Sequence, residues 1–199
     1  NGLSMGMEFY GNSYKGNDEP IFVGIPTFLK LPWIRSHEEL KSVRPDVAII
    51  GEPFDFGTTI RPGARYGPRA IRAASTVPSP PYEHFNIETG VDPFGVFRTV
   101  DYGDVNISPG DVVESHRRMT DKVKEVLDLD GIPVMLGGDH SITFANVRAF
   151  AKKYKNIGMI HIDTHADCAP QGLTGFKYDH GAHIRRIMEL GCLKGKNYT

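Results

Sequence analysis

Short β-branched runs alternating with longer amphipathic stretches constrain this chain more than any other feature. Asp46-Val47-Ala48-Ile49-Ile50-Gly51, Ile132-Pro133-Val134-Met135-Leu136 and Ile157-Gly158-Met159-Ile160-His161-Ile162 read as buried strands, and Thr99-Val100-Asp101 as a weaker one. Between them, Val112, Met119, Val123, Val126 and Leu127 are spaced for a helix. Ser108 is its expected N-cap, Pro109 its first residue and Leu129 its approximate end. Further helices are expected over Ser141 to Tyr154 and over His183 to Leu190, the latter closed by Gly191. Strands that alternate with helices make an α/β domain with a mainly parallel sheet and helices on both faces. Ligands in such sheets bind beyond the carboxyl ends of the strands.

Residues 1–44 break every periodic pattern with Gly11, Gly16, Pro20, Gly24, Pro26 and Pro32, and read as an irregular N-terminal arm. The arm is expected to pack over the domain, residues 45–199, or against a neighbouring subunit. Lys and Arg number 23 against 24 acidic residues, without the clustering that a nucleic-acid footprint needs. Two cysteines, Cys168 and Cys192, are too few for a disulfide scaffold and read as free thiols. No apolar run approaches a membrane span and the N-terminus lacks a signal pattern, so a cytoplasmic protein is expected, with a mitochondrial setting left open.

The polar clusters fall where ligands are expected. Asp55 follows the first strand, Asp139-His140 the strand ending at Gly137-Gly138, and Asp163-Thr164-His165-Ala166-Asp167 the last. Two carboxylates so close repel unless a cation neutralises them, and a divalent ion does so while accepting an imidazole nitrogen. Mixed carboxylate and imidazole donors suit manganese, iron, nickel or zinc better than calcium or magnesium. Taken singly, Asp-x-His-x-Asp reads equally as ordinary strand-end chemistry and His140 more often as a satisfied structural histidine; two clusters at neighbouring strand ends favour metal. In Tyr178-Asp179-His180-Gly181-Ala182-His183, Asp179 stands where a helix N-cap would. His180 is placed to reach the mouth of the site and move protons.

These segments together resemble the ureohydrolase family, which includes agmatinases, arginases and guanidinobutyrases. The resemblance is carried by Phe54-Asp55-Phe56-Gly57-Thr58-Thr59, Arg61 to Arg72, Val100 to Val105, Gly137-Gly138-Asp139-His140-Ser141 and Asp163 to Asp167, in that order. The run Arg65 to Arg72 and Asp179-His180-Gly181 look closer to agmatinase-type members than to arginase. The resemblance implies a three-layer α/β/α sandwich, a homo-oligomer (trimer or hexamer) and two divalent metal ions. Manganese is the first expectation, with nickel, iron, cobalt or zinc as alternatives. It implies that His140 binds one metal and His165 the other, that Asp163 bridges them and takes part in catalysis, that Asp167 joins the metal of His140, and that His180 is the catalytic proton shuttle. The run Gly63 to Arg72 is expected to be structural. The implied activity is hydrolysis of a small guanidino substrate, agmatine favoured, to urea and an amine. A metal-dependent deacetylase of the same fold, or a non-catalytic subunit keeping half a site, are the rivals.

Two departures stand out. Thr164 occupies a position where alanine is usual, and His183 one where an apolar residue is more frequent; His183 is read as an exposed helix residue in preference to a polar group at the pocket rim. An Asp-x-Asp pair that the family contributes to the metals does not follow Asp167. The chain is therefore expected to correspond to the N-terminal part of such a protein.

Overall fold

The computed structural model describes residues 22–76, 86, 88–173 and 175–199. Three parallel strands, β1 (Val47–Glu52), β2 (Thr99–Asp104) and β3 (Ile132–Gly137), form one sheet in the order β2-β1-β3. Val47 is paired with Thr99 on one side and Ile132 on the other. The last expected strand is shorter than its apolar run: β4 covers only Ile157–Met159 and pairs with β5 (Leu193–Tyr198) in a separate two-stranded parallel sheet. Ile160 and Ile162 lie beyond the strand and are exposed.

Alternation along β1 explains the layering. Ala48 and Ile50 face the main core with Leu40, Val100, Tyr102, Met119, Val123, Ala145 and Ala149. Those residues belong to helices α1 (His37–Val43), α4 (Val112–Leu127) and α5 (Ile142–Lys153) and to β2. Each fully buried aliphatic side chain of this kind contributes roughly 1.5–3 kcal/mol. The opposite face belongs to helix α2 (Gly67–Ser75), whose buried Arg72 donates from Nε and Nη2 to the two oxygens of Asp101, at 2.7 and 2.9 Å. Helices thus cover both faces of the sheet, as in a three-layer α/β/α sandwich. Helix α6 (His183–Glu189) and Phe144 of α5 close a second cluster over β4 and β5, with Ile184, Ile187 and Leu193. A one-turn helix, α3 (Pro93–Val96), precedes β2.

Two helix starts differ from expectation. Pro109-Gly110 forms a turn, with Gly110 at φ +80° and the Asp111 N–H bonded to the Ser108 carbonyl at 3.1 Å. The cap therefore passes from Ser108 to Asp111, whose Oδ1 accepts the Glu114 N–H at 2.9 Å. Helix α1 lies within the stretch left irregular by the sequence. Ser36 accepts the Glu39 N–H and Glu39 accepts the Arg35 N–H, a variant of the capping box written as Ser-x-x-Glu. The first 21 residues of the expected irregular arm lie outside the described residues. Among the described residues no helix is long and apolar enough to cross a membrane.

Candidate metal centre

The end of β3 is locked to the end of β1 before it presents any functional group. Gly138 passes so close to the β1 loop that a Cβ there would lie 2.5 Å from the Phe54 carbonyl oxygen and 2.6 Å from that of Glu52, so only glycine fits. The buried Asp139 carboxylate accepts the backbone N–H groups of Gly57 and Ser141, each at 2.8 Å, and the Ser141 hydroxyl. Burial outweighs these bonds and raises its pKa. The next residue, His140, is thereby aimed out of the sheet end.

The chain bends after β4 instead of continuing as a strand. Asp163 Oδ1 accepts the His165 N–H at 2.7 Å, the first cause of a lowered Asp163 pKa, and Asp167 adopts a left-handed φ of +47°. The bend brings Asp163 Oδ2 to 3.0 Å and Asp167 Oδ2 to 3.1 Å from His140 Nδ1. His165 stays on the outer side: its ring is exposed, with Nδ1 3.4 Å from Asp163 Oδ1. His180 stands across the cleft with Nε2 2.7 Å from Thr59 Oγ1, and its N–H bonds to the Gly57 carbonyl at 3.1 Å. One loop, residues 57–59, thus anchors both Asp139 and His180. His140, Asp163, His165, Asp167 and His180 all line one cleft of about 550 Å³.

Two histidines join the cluster that residue patterns did not assign to it. His183 is not an exposed helix residue: it is 1% exposed, and its ring lies 4.0 Å from that of His140, centroid to centroid. The reason is local. The turn before α6 is closed by Asp179, whose Oδ1 accepts the Gly181 N–H at 2.8 Å, so the helix begins at His183 with its first side chain directed inward. Asp179 is consequently a turn residue, and the N-cap position falls to Ala182. Burial lowers the His183 pKa to about 4. His161 sits two residues before Asp163, with Nδ1 2.7 Å from the Tyr198 hydroxyl. The i, i+2 spacing that links Asp163, His165 and Asp167 extends back to His161, and this was the available signal.

The run Gly63 to Arg72 makes structural contacts. Arg65 Nε donates to Asp55 Oδ1 and the Gly63 N–H to Asp55 Oδ2, both at 2.6 Å, and Arg65 holds the Asp55 pKa down.

The donor set fits a divalent transition ion. One donor atom each from His140, His161, Asp167 and His183 lie within 4.8 Å of one another, with Asp163 against His140. The Nε2 atoms of His161 and His183 are buried without a hydrogen-bond partner among the described residues. Buried imidazole lone pairs beside two carboxylates are what such an ion accepts.

A model of the arginase family matches residues 45–199. This chain belongs to the arginase family. Guanidinobutyrase of Pseudomonas aeruginosa is 39% identical over 92% of this arginase-family chain and 59% of its own length. Mitochondrial agmatinase of Gallus gallus is 38% identical over 86% and 47%, respectively. Among solved structures, proclavaminate amidino hydrolase of Streptomyces clavuligerus superposes with a TM-score of 0.76 at 32% identity, over 90% of this chain and 56% of that one. Formiminoglutamase of Trypanosoma cruzi with Mn2+ does so with 0.71 at 27% identity, over 88% and 56%. The chain thus spans about half the length of the curated relatives it matches.

Proposed function

We propose that this arginase-family chain is the ligand-bearing part of a binuclear metal-dependent ureohydrolase that cleaves a guanidino C–N bond to give urea and an amine. The observation that carries the reading is the approach of Asp163 and Asp167 to His140 within a cleft that His165 and His180 also line. His140 and Asp167 would hold one ion and His165 the other, with the Asp163 carboxylate available to both. Manganese is the proposed metal, since the family likeness extends to a structure with Mn2+. When bound, a divalent pair supplies Lewis acidity and lowers the pKa of water toward neutrality, which the poorly electrophilic guanidinium carbon requires.

The chain's own residues supply the rest. Asp163 is kept ionised by the His165 N–H, and so is ready to share its oxygens at working pH. His180 faces the cleft on a fixed backbone, with Thr59 orienting its Nε2, and delivers a proton to the departing amine nitrogen. Residues 45–199 form the catalytic-fold unit and residues 1–44 an arm, in a cytoplasmic or mitochondrial homo-oligomer.

Relatives named for guanidinobutyrate and for agmatine match about equally well, so linear guanidino compounds of that length are the proposed substrates, agmatine first on its motif likeness. A urea-release screen of the manganese-loaded protein over agmatine, guanidinobutyrate, guanidinopropionate and arginine tests this. Urea from agmatine or guanidinobutyrate is expected, and none from any of the four overturns the reading.

A further inference from the structure

His183 is surplus to the ligand set that the family resemblance implies, yet it is built as a ligand. Its Nδ1 lies 2.8 Å from the His180 carbonyl oxygen, and a carbonyl only accepts, so Nδ1 carries the proton. That fixes the tautomer and leaves the lone pair on Nε2, the atom buried without a partner among the described residues. A metal-binding imidazole is normally held in this way, with the distal N–H given to a carbonyl and the other nitrogen free for the ion. A buried imidazole nitrogen lacking any partner otherwise costs on the order of 1–3 kcal/mol. The ring also lies over His140, and Nδ1 is 3.6 Å from Asp167 Oδ2, so His183 shares the space of the two residues assigned to one ion.

We propose that His183 is a further imidazole ligand on the His140 and Asp167 side of the metal centre, which makes that side richer in nitrogen than the other. The proposal rests on the metal-site reading above. A second imidazole on one ion favours nickel, cobalt and zinc over manganese, because nitrogen donors gain most from the later metals.

The test is metal binding, read independently of turnover. His183→Phe keeps the ring volume and burial, and His183→Gln keeps a polar group if the phenylalanine variant does not fold; thermal unfolding of the metal-free proteins checks both. Nickel and cobalt titrations should show affinity falling on the order of tenfold or more in the variants, with a shift in the cobalt absorption bands. Manganese affinity should fall less. Pulsed electron paramagnetic resonance of His165→Ala loaded with manganese alone, which keeps the His140 side intact, should report two imidazole nitrogens on the bound ion. Unchanged nickel affinity and cobalt bands in the His183 variants, or a single imidazole in His165→Ala, would overturn the ligand role and leave the ring as packing. Failure of the wild-type protein to bind any of these metals would instead sink the metal-site reading itself.

Discussion

Asp139 and Gly57, 82 residues apart in sequence, are joined by an N–H···O bond of 2.8 Å that ties the loop after β1 to the end of β3. His140 is aimed by what Asp139 holds, although Asp139 is neither in the donor cluster nor in the lining of the cleft. Asp139→Ala would strand the buried N–H groups of Gly57 and Ser141 and the Ser141 hydroxyl. Each stranded donor costs about 1–3 kcal/mol, so with three of them a loss of about 3 kcal/mol or more is expected in urea denaturation, with weaker manganese binding. A loss under about 1 kcal/mol would mean that the turn holds itself without the carboxylate.

Arg72 offers a second mechanical test. Both it and Asp101 are buried, and the paired N–H···O bonds match the planar fork of a guanidinium. Arg72→Met removes one partner of a buried pair and leaves the Asp101 charge behind, an expected cost of about 3–5 kcal/mol. Arg72→Lys keeps the charge but not the fork and should cost clearly less. Equal losses for the two variants in chemical denaturation would refute the role of the fork.

How much of this was legible in the sequence depends on what kind of signal each feature leaves. Strands β1 and β3 announce themselves as continuous apolar runs, although β3 lies at the sheet edge with Ile132 and Val134 exposed and is not the buried strand expected. β2, with Asp101 and Gly103 inside it, left only the weaker trace of Thr99-Val100-Asp101, and Gly138 and His140 follow from the end of β3. β5 left no such trace: Lys194, Gly195, Lys196 and Asn197 carry no apolar alternation, and its pairing comes from contact with β4. The apolar character of Ile160 and Ile162 overstated β4, because the Asp163 bond to the His165 N–H and the left-handed Asp167 turn the chain away. His183 was misjudged because a histidine at a helix start is usually solvated; its burial is set by the Asp179 turn, a tertiary consequence that no spacing rule contains.

Two buried ionisable groups outside the centre give opposite pH signatures. His116 is enclosed by the rings of Phe54, Phe144 and Tyr178, at 5.3, 5.9 and 5.6 Å, and burial lowers its pKa to about 4. The unfolded chain takes up this proton near pH 6.5 and the folded one resists it. The fold therefore keeps its full stability above pH 6.5 and loses up to about 3 kcal/mol as pH falls toward 4. His116→Phe should flatten that part of the wild-type profile of unfolding free energy against pH. Parallel wild-type and variant profiles between pH 6.5 and 4 would contradict it.

Glu52 has the reverse sign. It is fully buried at the end of β1, accepts the Asn146 side-chain N–H at 2.9 Å, and burial raises its pKa to about 8. Its unfolded form ionises near pH 4.5, so stability is greatest below that and declines as pH rises toward 8. At pH 7 the penalty is about 3 kcal/mol, since each unit is worth about 1.4 kcal/mol. Glu52→Gln imitates the protonated acid, and its new N–H faces a neighbourhood where Asn146 Oδ1 lacks a partner among the described residues. The variant should be more stable than wild type by up to about 3 kcal/mol at pH 7, and should gain little at pH 4.5. A variant less stable at pH 7 would mean that Glu52 is ionised and held by a cation.

Asp163→Asn bears directly on the proposed chemistry. Asparagine keeps the shape and can still accept the His165 N–H, but it removes the charge and exchanges one metal-binding oxygen for an amide nitrogen that donates. A residue between two ions loses more by this than a ligand to one, so metal analysis after dialysis should find the content falling by one or both ions per chain. His165→Ala, by contrast, should cost one ion at most, because its exposed ring lies on only one side of Asp163. Full retention of both ions by Asp163→Asn would refute the bridging role. Loss of both ions in His165→Ala would place the shared dependence on that imidazole instead.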